Sequence, residues 1–297
     1  MAKRMLDVTA SELKNYKKKE LLESIVKSEG RVMAAECIGL IMPILSDVTN
    51  AEFAAAMGAD IVLLNMFDVK KPVIQALPEV EAIDTVKELK HLTGRVIGIN
   101  LEPVEETDTL ENQGTMWEMS EGRKATVENA SIARDMGVDM ILLTGNPGNG
   151  VSNKAITDSL KALKKTVGED VILAAGKMHA SGIITEAAEN IITEKDIKSF
   201  IQAGADIILL PAPGTVPGIT TEYVRKLVSF AHSMGALTIT SIGTSQEGAD
   251  LQTIRQIALM CKMTGTDIHH IGDTGYPGMA IPCLLYTSPS PRDVEES

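Results

Sequence analysis

Eight short apolar runs recur along the chain, and more polar, helix-like sequence separates each run from the next. Successive runs start 29 to 44 residues apart. Apolar runs that alternate with helical segments predict βαβ units and a parallel sheet, and eight units in about 250 residues predict a (β/α)8 TIM barrel. A doubly wound open sheet is the alternative fold. The runs are residues 32–39, 61–66, 96–102, 140–145, 171–177, 207–211, 237–243 and 268–273.

The segment before the first run predicts an extra helix. Residues 9–28 carry leucine and isoleucine at helical spacing, behind candidate N-cap residues. We therefore expect residues 1–30 to flank the bottom of a barrel that spans residues 31–282. The basic stretch at residues 14–19 (KNYKKK) is interpreted as a solvated helix face.

The end of the chain departs from the barrel pattern. Residues 283–293 read CLLYTSPSPRD, which resembles a translated reading frame of the transposase adapter used in sequencing libraries. No helical periodicity is evident after Pro282. We therefore expect the barrel to lack its final helix, and residues 283–297 not to belong to the native protein.

One phrase is repeated at the start of several runs. MGADIVLL at residues 57–64 recurs as AGADIILL at residues 203–210, and a looser copy, MGVDMILL, occupies residues 136–143. Each copy joins a helix-ending glycine to an aspartate that immediately precedes a strand. The amino-terminal ends of barrel strands serve stability rather than catalysis, so we predict a structural role for these aspartates.

Composition limits the class of partner. The chain of 297 residues is 44% hydrophobic and carries a net charge of −12, which argues against binding to nucleic acid phosphates. We find no signal peptide, and no apolar run approaches the ~20 residues of a membrane span. Three cysteines without metal-ligand spacing favour a reducing cytoplasm. We expect a cytoplasmic protein with a small-molecule partner; a homo-oligomer is possible, but no residue decides it.

A phosphate site is predicted after the last two strands. In many barrels, backbone N–H groups of these loops bind a phosphate. Glycines allow the backbone to approach an anion closely, and hydroxyls add donors. The alternative is that both stretches are tight turns into helices, and the carboxylate of Asp273 would repel a phosphate. The predicted phosphate-binding residues are Gly243, Thr244, Ser245, Gly272, Thr274 and Gly275.

Acid–base chemistry is predicted within run one and at the ends of runs three and five. Glu36 and Glu102 are candidate bases, Lys177 is a candidate imine former or cationic anchor, and His179 is a candidate proton shuttle. Lys177 in a plain structural ion pair is the alternative. In run eight, one of the adjacent His269 and His270 must point inward and the other outward.

Further polar residues at the same end predict substrate contacts. Asn146 and Asn149 lie in a Gly/Asn-rich stretch that suits either a hydroxylated ligand or a plain turn, and Asn65 and Asn100 follow or lie within runs two and three. A metal is a second possibility, with Mg²⁺ or Mn²⁺ suited to oxygen ligands. Its candidate ligands are Asp273, Glu36, Glu102 and His179; the spacing does not require a metal.

Three stretches resemble a known group of proteins. Residues 4–11 (RMLDVTAS), 60–72 (DIVLLNMFDVKKP) and 98–104 (GINLEPV) are similar to an uncharacterised bacterial family of phosphate-binding-type (β/α)8 barrels, over residues 4–282. Members of that family carry inconsistent labels, including haloacid-dehalogenase-like hydrolase and phosphoenolpyruvate phosphonomutase. The resemblance implies the barrel fold and leaves the reaction open.

Neither label fits the motifs of this chain. A haloacid-dehalogenase site needs DxDxT at a strand end, whereas residues 7–9 (DVT) hold one aspartate and precede a helix. The phosphonomutase type needs paired aspartates after the middle strands and a Lys-Lys-Cys-Gly loop, whereas residues 144–147 read TGNP. We therefore expect an isomerase, epimerase or aldolase/lyase that acts on a small phosphorylated carbonyl compound by proton transfer. The alternatives are a non-catalytic metabolite-binding barrel and a metal-dependent hydrolase or lyase.

Overall fold

Eight parallel strands close into a barrel in sequence order, since β1 pairs with both β2 and β8. The computed structural model describes residues 2–103, 119–145, 151–178, 188–242 and 248–287. The predicted (β/α)8 barrel is confirmed, and the open sheet is wrong because each of these strands has a neighbour on both sides. The strands are β1 Val32–Ile38, β2 Ile61–Asn65, β3 Val96–Leu101, β4 Met140–Leu143, β5 Ile172–Gly176, β6 Ile207–Pro211, β7 Leu237–Ile242 and β8 Ile268–Ile271.

Helices precede the barrel and alternate with its strands. Most begin at a Ser, Thr or Asp whose side chain accepts a backbone N–H of the first turn, as at Thr49, Ser152 and Asp250; each such cap contributes about 1 kcal/mol. The helices are α1 Ala10–Leu13, α2 Lys18–Lys27, α3 Asn50–Ala56, α4 Thr85–Thr93, α5 Val127–Asp135, α6 Asn153–Thr166, α7 Glu194–Ala203, α8 Thr221–Ser233, α9 Leu251–Thr264 and α10 Pro282–Thr287.

The apolar core has two layers because strand residues alternate between the faces of the sheet. In β1, Val32 and Ala34 pack in the cluster inside the barrel, whereas Met33 and Ala35 pack between the sheet and the helices. Both layers are almost entirely buried. Burial of this kind contributes roughly 25 cal/mol per Å² of apolar surface, and it fixes the inward or outward direction of every strand residue.

The amino-terminal segment plugs the barrel bottom, as two helices rather than the single one predicted. Leu13 of α1 and Leu21 and Ile25 of α2 belong to the cluster inside the barrel. The predicted helix is interrupted before α2, whose start is capped by the Glu20 carboxylate. This carboxylate accepts the Lys17 N–H at 2.7 Å.

Lys18 corrects the interpretation of the basic stretch as a solvated face. Its side chain is buried, and Nζ lies 2.6 Å from Asp206 Oδ2 and 2.6 Å from the Gly168 carbonyl oxygen. The lysine therefore joins the plug to the strand layer. The sequence concealed this contact because Asp206 is far away along the chain.

Four aspartates form a repeated clamp at the amino-terminal ends of the strands. Each immediately precedes an even-numbered strand, and its carboxylate accepts the N–H of the second residue of the preceding strand. The predicted structural role is thus confirmed for the three aspartates of the repeated phrase, and Asp267 adds a fourth. The pairs are Asp60 with Met33 at 2.9 Å, Asp139 with Ile97 at 3.0 Å, Asp206 with Leu173 at 2.8 Å and Asp267 with Thr238 at 2.7 Å.

A short helix, α10, forms where helical structure was expected to stop. Leu284 and Leu285 are buried, and α10 packs against α9 and α3. The expectation of no helix after Pro282 is therefore wrong, because two adjacent leucines suffice to hold one and a half turns against neighbouring helices. That residues 283–297 are foreign to the native protein stays a prediction.

Candidate active site at the carboxyl end of the barrel

Polar side chains replace apolar ones inside the barrel at the carboxyl ends of the strands. In β1, Val32 and Ala34 pack in the inner cluster, and Glu36 is the next residue on that face. The same alternation brings six more polar residues to the inside. We call the seven residues the inner polar ring: Glu36, Asn65, Asn100, Glu102, Thr144, Ser241 and His270.

Two asparagines join two carboxylates across the ring. Asn100 Nδ2 donates to Glu36 Oε1 at 2.8 Å and to Asn65 Oδ1 at 3.2 Å, and Asn65 Nδ2 donates to Asp273 Oδ2 at 2.8 Å. The carboxylates accept only, so this network fixes the orientation of both amides. The structure thus brings together Glu36 and Asp273, which the sequence proposed as metal ligands, with Asn65 and Asn100, which it proposed as substrate contacts.

His270 extends the network on the other side of Glu36. Its Nδ1 lies 2.6 Å from Ser241 Oγ, and its Nε2 lies 3.5 Å from Glu36 Oε2. The Ser241 hydroxyl also lies 3.2 Å from Met178 Sδ, but a thioether is a weak acceptor. We therefore assign the Ser241 proton to the bond with Nδ1, which leaves the ring proton on Nε2 and directed towards Glu36.

The serine, histidine and glutamate do not form a nucleophilic triad. Ser241 is completely buried, and Met178 lies against its hydroxyl, so the serine orients the imidazole instead. Desolvation lowers the pKa of His270 to about 4. The imidazole is therefore neutral at physiological pH and acts as a hydrogen-bond donor. His269 faces the opposite way and contacts the Gly30 carbonyl oxygen at 3.0 Å, which confirms the expected inward–outward pair.

Burial also affects the acid at the end of the network. Desolvation raises the pKa of Asp273, although hydrogen bonds from Asn65 and from the Gly275 N–H oppose the shift. The Gly275 nitrogen lies 2.7 Å from Asp273 Oδ1. Asp273 therefore holds the turn after β8 in place and links it to β2.

Glu102 forms a buried ion pair with Arg123. Arg123 Nη2 contacts Glu102 Oε1, and both side chains are about nine-tenths buried. Backbone hydrogen bonds tie the same segments, since the Glu102 N–H donates to the Arg123 carbonyl oxygen at 2.8 Å. Glu102 follows Asn100 on the same face, about 7 Å further along the strand. The pair places a guanidinium at the rim of the inner polar ring.

Three buried polar atoms of the inner polar ring have no hydrogen-bond partner among the described residues: Asn100 Oδ1, Thr144 Oγ1 and His270 Nε2. Their side chains are 7%, 3% and 1% exposed. Buried polar atoms are paired in the great majority of cases because an unpaired one costs about 1–3 kcal/mol. A donor, an acceptor and a hydroxyl inside one barrel end are therefore suited to a ligand.

The other two predicted catalytic residues follow β5. Lys177 is buried directly after the strand. β5 ends at Gly176, so the alternation of strand residues does not fix the direction of the Lys177 side chain. Its role as an anchor stays a prediction. His179 lies outside the described residues.

The described half of the predicted phosphate site is occupied by internal hydrogen bonds. The Gly272 N–H donates to the Ile242 carbonyl oxygen at 2.9 Å, and Thr274 Oγ1 donates to the Met279 carbonyl oxygen at 2.8 Å. The Gly275 N–H is held by Asp273. These three donors thus stabilise the turn, which is the alternative that the sequence left open. Gly243, Thr244, Ser245, Asn146 and Asn149 lie outside the described residues.

The described residues do not complete a metal site. Within the described part of the chain, no group of three His, Cys, Asp or Glu side chains is arranged to hold an ion. Glu102 contacts a guanidinium, and Asp273 accepts from an amide and a backbone N–H, so neither carboxylate has the surroundings that Mg²⁺ prefers. We derive no step through a metal; the predicted set, which includes His179, stays a prediction.

Sequence reasoning missed Arg123, Thr144 and the pairing of Ser241 with His270. The alternation in β8 carried a signal for His270, because it shares the face of the apolar Ile268. Thr144 could have been found in the same way from Leu142 in β4. No pattern pointed to Arg123, since a long connection separates it from Glu102 in the sequence.

The fold and the inner polar ring thus define a (β/α)8 barrel whose interior is polar at the carboxyl end. Three buried polar atoms there have no hydrogen-bond partner among the described residues. The chain belongs to the family described as domain of unknown function (DUF7916), whose pattern it matches over residues 6–288. No curated protein matches the sequence. No helix in the described part of the chain is long and apolar enough to span a membrane.

Solved structures share the fold at low sequence identity. The 2,3-dimethylmalate lyase, a member of the PEP mutase/isocitrate lyase superfamily, is similar over 89% of this chain and 81% of its own, with 11% identity and a TM-score of 0.53. A candidate lyase/mutase from Burkholderia cenocepacia covers 88% and 82%, with 14% identity and a TM-score of 0.49. Thiamine phosphate pyrophosphorylase from Pyrococcus furiosus covers 88% and 94%, with 12% identity and a TM-score of 0.49.

Proposed function

We propose that the protein is an enzyme of the lyase or isomerase type, which moves a proton next to the carbonyl group of a small substrate inside the carboxyl end of the barrel. The observation that carries the proposal is Glu36, a buried carboxylate in the same inner polar ring as three buried polar atoms that have no hydrogen-bond partner among the described residues. The same barrel serves many reactions; the 2,3-dimethylmalate lyase is a precedent for lyase chemistry on it.

Glu36 is the better of the two candidate bases. Its carboxylate accepts a hydrogen bond from the Asn100 amide at 2.8 Å, and His270 Nε2 lies 3.5 Å from it without completing a hydrogen bond. Glu102 instead contacts the guanidinium of Arg123. A base must accept a proton in the transition state, and a carboxylate committed to an arginine does so at the cost of its ion pair. We assign Glu102 to the positioning of Arg123.

Two hydrogen-bond donors of the inner polar ring suit the other half of the reaction. Removal of a proton beside a carbonyl group places negative charge on the carbonyl oxygen, and preorganised donors stabilise that charge. His270 Nε2–H and the Thr144 hydroxyl are buried, lack partners among the described residues and belong to the inner polar ring. Because the imidazole of His270 is neutral, it stabilises this oxygen by donating a hydrogen bond and carries no positive charge itself.

A second, more specific part of the proposal concerns the class of substrate. We propose a phosphorylated carbonyl compound, whose phosphate would contact Gly243, Thr244 and Ser245, since the donors after β8 serve the turn. A thermal-shift panel of sugar phosphates, their dephosphorylated counterparts and small keto acids tests this class. Stabilisation by phosphorylated members alone supports it, and equal stabilisation by the dephosphorylated partners contradicts it.

The test of the mechanism compares two isosteric variants on a substrate from that panel. Glu36→Gln should lower kcat about 10²–10⁴-fold with substrate binding retained, because it removes the base. Glu102→Gln should mainly raise KM, because Arg123 loses its fixed position. Glu169→Gln, on the exposed surface, is the control and should change neither.

Retained turnover in Glu36→Gln would exclude this glutamate as the base. Tight binding of a ligand without turnover across the whole panel would favour the non-catalytic metabolite-binding barrel. In that case Glu36→Gln and Thr144→Val should still weaken binding, since both residues would serve the ligand directly.

A further inference from the structure

A second pocket lies at the opposite end of the barrel from the inner polar ring. It has a volume of about 400 Å³ and lies between α1, the last turn of α4 and the turn that precedes β4. A smaller cavity of about 20 Å³, which Arg95 lines, continues from it towards the start of β3 and shares Lys14 and Lys90 with it. Clefts of roughly 300–1,000 Å³ are the usual size of small-molecule sites.

Two glycines give this pocket its shape. Gly94 ends α4 with φ +62°, and a Cβ there would meet Ala10 Cβ at 2.5 Å. Gly137, with φ +94°, lies against the side chain of Lys87, where a Cβ would meet Cγ at 3.3 Å. Glycine is the residue that tolerates this backbone conformation without strain. The concave wall therefore depends on α1 and the β4 turn approaching α4 closely.

Basic side chains dominate the lining of the two cavities. Lys14 directly follows α1, Lys87, Lys90 and His91 come from one face of α4, and Arg95 precedes β3. The lining contains one carboxylate, Asp139, which Lys90 holds at 2.7 Å and which also accepts the Ile97 N–H at 3.0 Å. The chain as a whole has a net charge of −12, so this concentration of positive charge is local.

Several of these basic side chains have no carboxylate partner in the described part of the chain. Among the described residues, neither Lys14 nor His91 forms an ion pair, and the buried Nε of Arg95 has no hydrogen-bond partner. Lys87 contacts Asp84 at 2.8 Å, but both side chains are about half exposed, and such surface pairs contribute little.

The helix dipole does not explain the whole cluster. Cations are favourable in the last turn of a helix, which accounts for Lys90 and His91 in α4. Lys14 and Arg95 belong to other elements and converge on the same cavities. Charges that arrive from three elements at one concave surface suit a ligand with several anionic oxygens.

We propose that this pocket binds a small phosphate-bearing molecule, at a site separate from the inner polar ring. An arginine and several lysines make short, charge-assisted hydrogen bonds to phosphate oxygens. The lysine stems, Ala10 and the glycines offer apolar surface to the rest of the molecule. The site is concave, and the acidic chain repels nucleic acids, so the ligand is a small molecule.

Isothermal titration with inorganic pyrophosphate tests the proposal. We expect binding to the wild-type protein that weakens about tenfold or more in the double variant Lys14→Gln/Arg95→Gln, because charge-assisted hydrogen bonds are lost. Binding should also weaken as sodium chloride is added. The control Lys165→Gln, an exposed lysine on α6, should bind as the wild type does.

Two results would overturn the proposal: no binding of pyrophosphate by the wild-type protein, or equal affinity in the wild type and the double variant. Equal affinity would place the bound pyrophosphate elsewhere, for example at the carboxyl end. If the double variant is poorly folded, Lys14→Gln alone serves the test, since Lys14 is exposed and its replacement should leave the thermal midpoint within a degree or so.

Discussion

The two ends of this barrel use polar residues for opposite purposes. At the amino-terminal end, four aspartates repeat one contact, and each carboxylate accepts a backbone N–H of the neighbouring strand. At the carboxyl end, the inner polar ring links side chains to one another and leaves three buried atoms without a described partner. The first arrangement is saturated, and the second is not.

The difference shows where the protein gives up stability. A buried polar atom that is hydrogen-bonded contributes modestly to folding, whereas an unpaired one costs the full desolvation of its group. Strained or unsatisfied groups persist where binding or catalysis needs them. The contrast between the two ends can therefore be tested by stability measurements, without knowledge of the substrate.

The largest effect is expected at the amino-terminal end. Asp206→Ala removes the acceptor of the Leu173 N–H and leaves Lys18 buried without its carboxylate. We expect the free energy of unfolding to fall by about 3 kcal/mol or more, measured by urea denaturation. Asp170→Ala, at an exposed position, is the control and should stay within about 0.5 kcal/mol of the wild type. A similarly small loss in Asp206→Ala would show that the clamp is dispensable.

Lowering the pH should reduce the free energy of unfolding by about 3 kcal/mol through His270 at the carboxyl end. The folded protein keeps His270 neutral with a pKa near 4, whereas the unfolded chain protonates the residue near pH 6.5. The unfolded state therefore binds more protons between these values, and stability must fall as the pH falls from 6.5 to 4.

The contribution of His270 to the pH dependence is obtained by comparing the wild type with a variant that lacks this histidine. Burial also lowers the pKa of His269, and burial raises the pKa of Asp273, which acts in the opposite direction. The comparison of wild type with His270→Gln by denaturation at several pH values removes both contributions. We expect a flatter profile in the variant; parallel profiles would mean that His270 titrates normally in the folded protein. His91→Gln, at an exposed histidine, serves as the control.

The smallest expected change in the free energy of unfolding is about 1 kcal/mol. It comes from making the same replacement, threonine to valine, once at each end of the barrel. Thr238→Val should destabilise the protein by about 1 kcal/mol, because the Thr238 hydroxyl donates to Asp267 Oδ2 at 2.9 Å. Thr144→Val should be neutral or stabilising, because the Thr144 hydroxyl has no partner among the described residues. Equal losses in thermal denaturation would contradict the contrast and indicate a partner for Thr144.

The strands and the clamp were predictable from local pattern. Eight apolar runs located all eight strands, with each boundary within two residues of the observed one, since a buried parallel strand needs an apolar run. The repeated phrase located Asp60, Asp139 and Asp206, because each contact joins residues in the same relative positions of adjacent strands. A repeated geometry leaves a repeated sequence.

For the site, the sequence predicted which residues take part but not how they contact one another. Position at the ends of runs selected Glu36, Asn65, Asn100 and Asp273, and barrel topology then implied a common location. Their mutual hydrogen bonds could not be read from the sequence, because partners on different strands have no fixed spacing along the chain. Lys177 was chosen by the same rule, and its role stays a prediction because it lies beyond the end of β5.

By itself, then, the sequence determined the barrel, the direction of most strand residues and the end at which chemistry should be sought, because these follow from periodicity and chain order. Only the tertiary structure decided that Asn100 donates to Glu36, that Arg123 holds Glu102, that His270 is neutral, and that Lys14 and Arg95 meet at one pocket. Those properties depend on burial and on contacts between distant segments, which closure of the barrel creates.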